Sequence, residues 1–257
     1  MLRFFRQIRQ RLLADNKLSK YLLYAIGEIF LVVIGILIAL QVNNWNEERK
    51  EFRQALSLLG NLKDELQQDS LHFRNVFTAE KTLFLPSAQR LFNAHRGFYN
   101  PSPGDSLLGQ AFRFATFTPN IKYSDNAYRR LLTTDLLDAL EDSDSLRLKL
   151  LEYYGQIDFL NLYAEQTLGI INDLSRELAP YHLVIPATNP DGRDISSFSG
   201  AGEEYFKAEY DLEAFRKNPA LNPKLFDMID IHKDRLGGLE IIRKLNADLL
   251  QILSSID

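Results

Sequence analysis

The stretch "GEIFLVVIGILIALQVNNWNE", residues 27–47, sets the tightest limit on what this chain can become. Between residues 21 and 42 the only clearly polar side chains are Glu28 and Gln41. A helix rising about 1.5 Å per residue over that length covers roughly the 30 Å hydrocarbon core of a bilayer. A core helix of a water-soluble domain keeps a polar face, and residues 29–40 offer none. A cleaved signal peptide needs small residues at alternate positions just past its apolar core, whereas this chain reads Ala39-Leu40-Gln41-Val42-Asn43. The segment therefore reads as an uncleaved transmembrane helix over residues 21–42.

Flanking charge orients it. Arg3, Arg6, Arg9, Arg11, Lys17 and Lys20 stand against Asp15 alone, so residues 1–20 carry +5, while residues 43–257 carry −8. Lys and Arg are retained on the cytoplasmic side of a membrane. Past the span, Arg49, Lys50 and Arg53 are interleaved with Glu47, Glu48 and Glu51. The expected topology is a cytoplasmic N-terminus and an extracytoplasmic bulk, with Trp45 as an anchor at the far interface. Leu2, Phe5, Ile8 and Leu12 recur at helical spacing with the arginines on other faces, which reads as a basic amphipathic tail, residues 1–20, on the anionic inner leaflet.

Glu28 lies about two turns, some 10 Å, into the span. A carboxylate there costs a few kcal/mol unless it is protonated, paired or reaches the headgroups. Gly35 and Ala39 follow on the same helix face and form a small-xxx-small pair, which lets a second helix approach closely. Glu28, Gly35 and Ala39 are thus read as a helix-packing face in the membrane. Snorkelling of Glu28 towards the cytoplasmic headgroups is the alternative.

Residues 43–257 read as a helical extracytoplasmic domain. No Pro or Gly separates residue 42 from the polar segment that follows, so the span should run on as a helix whose apolar stripe, slightly weakened by Gly60, is Phe52, Leu56, Leu59, Leu62, Leu66, Phe73 and Val76. Pro86 predicts a break or kink. Asp105 or Ser106 is suited to cap a short helix, and two more short pieces follow between residues 128 and 140. A long seam of Leu146, Leu150, Tyr153, Ile157, Leu160, Ala164, Leu168, Ile171 and Leu178 stops at Pro180. A loop then holds Asn189, Asp191 and Asp194, read as a turn at Asp191-Gly192. A helical piece is expected near residues 203–217. The last helix carries Leu225, Met228, His232, Leu236, Leu239, Ile242, Leu245, Leu249, Ile252 and Ile256. Three long amphipathic helices require mutual partners, so the fold class is all-α, with one N-terminal transmembrane helix continuing into an antiparallel helical bundle.

Motifs of phosphate, dinucleotide, serine-nucleophile and zinc-protease chemistry are missing, and so is cysteine. The four histidines, at positions 72, 95, 182 and 232, lack metal-ligand spacing, and His232 on an apolar seam reads as a hydrogen-bonded core imidazole. Tyr123, Tyr128, Tyr153, Tyr154 and Tyr163 read as core residues with hydroxyls at the rim. No catalytic residue, cofactor or metal is expected, and the acidic body disfavours nucleic acid.

"YLLYAIGEIFLVVIGILIALQVNNWNEERK" closely resembles the opening of an uncharacterised family of single-span proteins from Bacteroidota. Gly27, Glu28, Gly35, Gln41, Asn43, Asn44 and Trp45 carry the match, with a weaker likeness at "AYRRLL" and "SLRLKLLEYYGQI". The family often has Ser-Gly where this chain has Thr134-Asp135. The resemblance implies a single-pass inner-membrane protein with a helical periplasmic domain, and it implies no activity. The function expected from the sequence is a membrane-anchored scaffold or interaction protein, partnered by the lipid bilayer and by a second copy or another membrane protein. A periplasmic ligand-sensing bundle that signals through a membrane partner is the alternative.

Overall fold

The computed structural model describes residues 18–102, 105–134, 136–140, 143–186 and 206–256. It is all-α, with a single two-stranded sheet among the described residues. The chain divides into two compact units, one of residues 1–57 and 134–141, the other of residues 58–133 and 142–257. Helix α1, Leu18–Ala79, supplies residues to both.

Helical hydrogen bonding does not stop at Pro86. A π-helical turn, Glu80–Phe84, follows α1 and leads directly into α2, Leu85–His95. Pro86 has no N–H, and its ring would strike the carbonyl four residues back in a regular α-helix. The wider turn relieves this: the Leu85 N–H donates to the Glu80 carbonyl five residues earlier, and Pro86 falls in the tolerant first turn of α2. The expected break is thus a change of helical pitch. Helix α2 ends where Gly97 takes a left-handed φ of 75° and the Phe98 N–H reaches back to the Asn93 carbonyl at 2.8 Å, closing the last turn.

Asp105 caps α3, Ser106–Phe114, by accepting the Leu107 N–H at 2.8 Å. Helix α4, Asn126–Thr133, and a 3-10 turn, Leu136–Ala139, are the two short pieces expected from the leucine spacing. Helix α5 spans Ser143–Leu178, and a 3-10 turn, Ala179–Tyr181, holds Pro180. Strands β1, His182–Pro186, and β2, Phe206–Tyr210, pair antiparallel. The helical piece expected near residues 203–217 is therefore a strand followed by the short α6, Leu212–Lys217. Pairing with β1 overrides the local helical spacing there, since ladder hydrogen bonds are a non-local choice. The turn at Asp191-Gly192 lies outside the described residues. Helix α7, Leu221–Ile256, takes Pro223 into its first turn.

Within the second unit the long helices bury seams of alternating three- and four-residue steps. On α1 and its π-helical extension the seam is Leu59, Leu62, Leu66, Asp69, Phe73, Val76 and Glu80, whereas Phe52 and Leu56 are exposed. On α5 it is Leu146, Leu150, Tyr153, Ile157, Leu160, Ala164, Thr167, Ile171, Leu174 and Leu178, so Thr167 holds the position expected for Leu168, which is 50% exposed. On α7 it is Leu225, Met228, His232, Arg235, Leu239, Ile242, Asn246, Leu249 and Leu253. Helices α5 and α7 run in opposite senses: Tyr153 meets Asn246, Tyr163 meets Asp234, and Glu177 meets Lys224. Between those contacts Gly238 lets the helices close together. A Cβ there would lie 1.9 Å from a Leu160 methyl carbon.

Candidate functional site: an uncovered apolar helix and two buried polar layers

Glu28, Gly35 and Ala39 share one face of α1, as their spacing requires. Gly35 and Ala39 are exposed, Glu28 is half-buried, and a Cβ added at Gly35 meets no atom within 4 Å. Trp45 is 62% exposed. The most apolar 18-residue window of this helix has a mean hydropathy of 2.5, and none of it is buried. One helix near the N-terminus is thus long and apolar enough to cross a membrane. Arg3, Arg6, Arg9 and Arg11 lie outside the described residues.

The second unit holds two polar layers in its interior. In the first, the π-helical turn aims Glu80 at α7, one helical turn of which supplies both His232 and Arg235. All three side chains are buried. His232 meets Glu80 Oε1 through Nδ1, and its Nε2–H donates to the Ala115 carbonyl at 2.8 Å. Both ring nitrogens face oxygens, so a hydrogen is held between imidazole and carboxyl. The Arg235 Nε–H donates to Glu80 Oε2 at 3.3 Å, and its Nη2–H donates to the Pro119 carbonyl at 2.7 Å. The cluster carries one net positive charge. His232 is thus a hydrogen-bonded core imidazole that ties α7 to the π-helical turn and to the end of α3.

The second layer is Asp69 of α1, Tyr153 of α5 and Asn246 of α7. The Tyr153 hydroxyl donates to Asp69 Oδ2 at 3.3 Å, and Asn246 Nδ2 donates to the Tyr153 oxygen at 3.2 Å and the Leu66 carbonyl at 3.0 Å. Burial pushes the Asp69 carboxyl up to about 6, the Ser124 N–H and the Tyr153 hydroxyl oppose that rise, and the Glu65 carboxylate adds to it. Burial likewise carries the Tyr153 and Tyr154 phenols above their usual range.

Around this layer the segment "TPNIKYSDN" is held through its backbone. Glu65, Asp69 and His72, spaced four and three apart on α1, accept the N–H groups of Ala127, Ser124 and Lys122. Asn161 of α5 accepts the Ile121 N–H and donates to its carbonyl, both at 3.3 Å. The Tyr154 hydroxyl donates to the Ser124 carbonyl at 3.1 Å, and Tyr123 donates to Asp158 at 2.7 Å. Tyr128 stacks on Tyr154 with ring centroids 4.1 Å apart. Of the five tyrosines expected in the core, Tyr153 and Tyr154 are buried and the other three half-buried. The hydroxyls of Tyr123, Tyr153, Tyr154 and Tyr163 each donate to an oxygen. A loop gripped through its main chain is fixed in position with little demand on its own side chains.

The chemistry of these layers is positional. Every carboxylate in them is occupied by donors from the same unit, and among the described residues no group of three metal-ligating side chains comes together. A buried ion pair gains about as much from attraction as it loses from desolvation, so its clearest effect is on which register the helices adopt. Asp69, Glu80, Arg235 and Asn246 were not singled out by the sequence, although each occupies a seam position that heptad counting reaches.

Residues 28–87 match a family of unknown function (DUF6090), a stretch covering less than half of the chain. The match takes in Glu28, Gly35, Ala39 and Trp45, and beyond them Asp69 and Glu80. No curated protein and no solved structure matches the chain.

Proposed function

We propose that this protein is a membrane-anchored helical scaffold: residues 21–42 cross the inner membrane once, the basic N-terminal tail stays in the cytoplasm, and the helices beyond form an antiparallel bundle in the periplasm. The observation that carries this reading is the apolar window of α1, none of which is buried. Apolar surface on that scale is unfavourable in water and neutral in lipid. The charge asymmetry across the span supports the orientation. Polar layers that fix helix register support a body whose task is to hold a shape for a partner. In the span, the Glu28, Gly35 and Ala39 face packs against a second membrane helix, either another copy or another protein.

The test is protease treatment of intact spheroplasts, combined with an association assay of the span in membranes. Digestion should remove residues beyond about 50 and spare the tail, as the flanking charge requires. Protection of the whole body reverses the orientation, and a mature N-terminus near Asn43 removes the anchor. Glu28→Leu should weaken association by about 0.6–2 kcal/mol, while Glu28→Gln retains it. Equal association of both variants would leave Glu28 as a residue that only positions the helix at the headgroups.

A further inference from the structure

Just past its apolar segment, α1 sorts its charges by face. Arg49, Lys50 and Arg53 are interleaved in the chain with Glu47, Glu48 and Glu51, yet at about 100° per residue the two sets point roughly 160° apart around the helix. Asn46, Arg49, Lys50 and Arg53 fall at i, i+3, i+4 and i+7, the spacing of a single helix face, and all four are exposed. Ala39, Val42, Asn43 and Asn46 fall at the same spacing just before them, so an apolar part and a basic part form one stripe. A shallow groove on this stripe is lined by Ala39, Val42, Asn43, Trp45, Asn46 and Arg49. Asn43 donates to Glu47 at 3.3 Å, whereas the side chains of Trp45, Asn46, Arg49 and Lys50 have no polar partner among the described residues. Arg53 folds back along the stripe, its Nε–H donating to the Arg49 carbonyl at 3.2 Å.

We infer that this stripe binds an anionic phospholipid of the extracytoplasmic leaflet, an acyl chain lying along Ala39 and Val42 and the phosphate held by Trp45, Asn46, Arg49 and Lys50. The inference deepens the scaffold reading and rests on its span, residues 21–42, crossing a membrane. Depth fits the assignment. Asn46 stands about 6 Å and Arg49 about 10 Å past residue 42, against a headgroup layer of about 5–8 Å on each side of the hydrocarbon core. Side chains on a helix tilt towards its N-terminus, which here is towards the membrane, and a long basic side chain reaches a phosphate from above while its stem covers apolar surface. Charge fits as well. Three cations share the face and the three acids stand opposite, so an anionic headgroup is drawn to one side of the helix only. A zwitterionic headgroup would bring its own cation against them. Arginine and the indole N–H supply donors that a phosphate accepts. Ala39 also belongs to the packing face with Gly35 and Glu28, which lies deeper in the span. A helix crossing there diverges with distance from the crossing, and the headgroup fills the opening.

The chain has one tryptophan, Trp45, so its fluorescence reports the stripe directly. The full-length protein is reconstituted in vesicles of phosphatidylcholine and phosphatidylglycerol, with the same small mole fraction of one lipid or the other carrying bromine near the top of its acyl chains. Brominated phosphatidylglycerol should quench Trp45 as though enriched about fivefold over brominated phosphatidylcholine, the effect of one basic side chain near a charged lipid surface. The Arg49→Gln/Lys50→Gln/Arg53→Gln variant, changed only at exposed positions, should abolish the enrichment. Glu48→Gln/Arg49→Gln keeps the net charge of the segment and should still reduce it, because the basic face loses a cation. The inference is overturned if the two brominated lipids quench equally, or if the charge-balanced variant keeps the full enrichment. It is also overturned if inorganic phosphate displaces the lipid, which assigns the site to a soluble anion. Alkaline extraction of the same vesicles separates this inference from the anchor. Equal quenching in a protein that resists extraction removes the lipid site and leaves the anchor, whereas an extractable protein whose Trp45 neither lipid quenches removes both.

Discussion

Helix α1 carries two chemistries in one continuous element, and the contrast shows how a helix declares its surroundings. In residues 25–42 apolar side chains point in every direction and none is buried, with Glu28 the lone acid. From Leu58 onward the apolar side chains retreat to one seam, and the acids on or beside it, Glu65, Asp69 and Glu80, all bind donors within their own unit. The first part presents an apolar surface that is not buried among the described residues. The second part builds its own interior and can therefore bury charge, because the partners come with it.

The largest effect should come from leaving a charge of the body unpaired. Glu80→Gln takes the carboxylate away from the buried Arg235 guanidinium and should cost about 3–5 kcal/mol, the range for breaking one side of a buried pair. Chemical denaturation of the full chain in detergent, followed by helical circular dichroism, measures it, and the Glu80→Gln/Arg235→Met double variant should recover part of the loss. If the single variant is as stable as the parent, the body tolerates a buried unpaired guanidinium, and the contrast collapses.

A smaller effect follows from Asp69. Its carboxyl titrates at about 6 in the fold, against 3.8 for an unperturbed aspartate, so between those pH values the folded state binds more protons than the unfolded one. Stability from this group is therefore fully present below about pH 4 and declines as pH rises through 6, by about 3 kcal/mol in all. Asp69→Asn should flatten that slope. An unchanged slope in the variant assigns the pH dependence to other groups.

The smallest effect compares two glycines. Gly238→Ala forces the Leu160 side chain aside and should lower body stability by about 1–3 kcal/mol, as overpacking does. Gly35→Ala adds a Cβ where nothing is near and should leave the body unchanged. Melting of both variants side by side decides it, and equal losses would mean that the span is packed within the chain after all.

Much of the architecture was legible in residue spacing. The uninterrupted helix from the apolar stretch into the body follows from the lack of Pro and Gly in between, and the Asp105 cap, the Pro180 stop and the last long helix each have a local cause. The seams were read less well. Apolarity alone placed Leu168 and Leu236 inside, where strict counting in steps of three and four selects Thr167 and Arg235. The polar members of a seam look like surface residues until the partner that satisfies them is known.

By itself the sequence determined the helical class, the single long apolar segment and its charge asymmetry, because those depend on composition and short-range periodicity. Only the tertiary structure decided which polar side chains go inside. Glu80 is buried because His232 and Arg235, some 150 residues later in the chain, arrive to meet it. Pro86 continues a helix because a π-helical turn widens just before it, and β2 is a strand because β1 lies alongside. Each of these outcomes depends on a contact between distant residues, and the energy of such a contact is written in no local window of the chain.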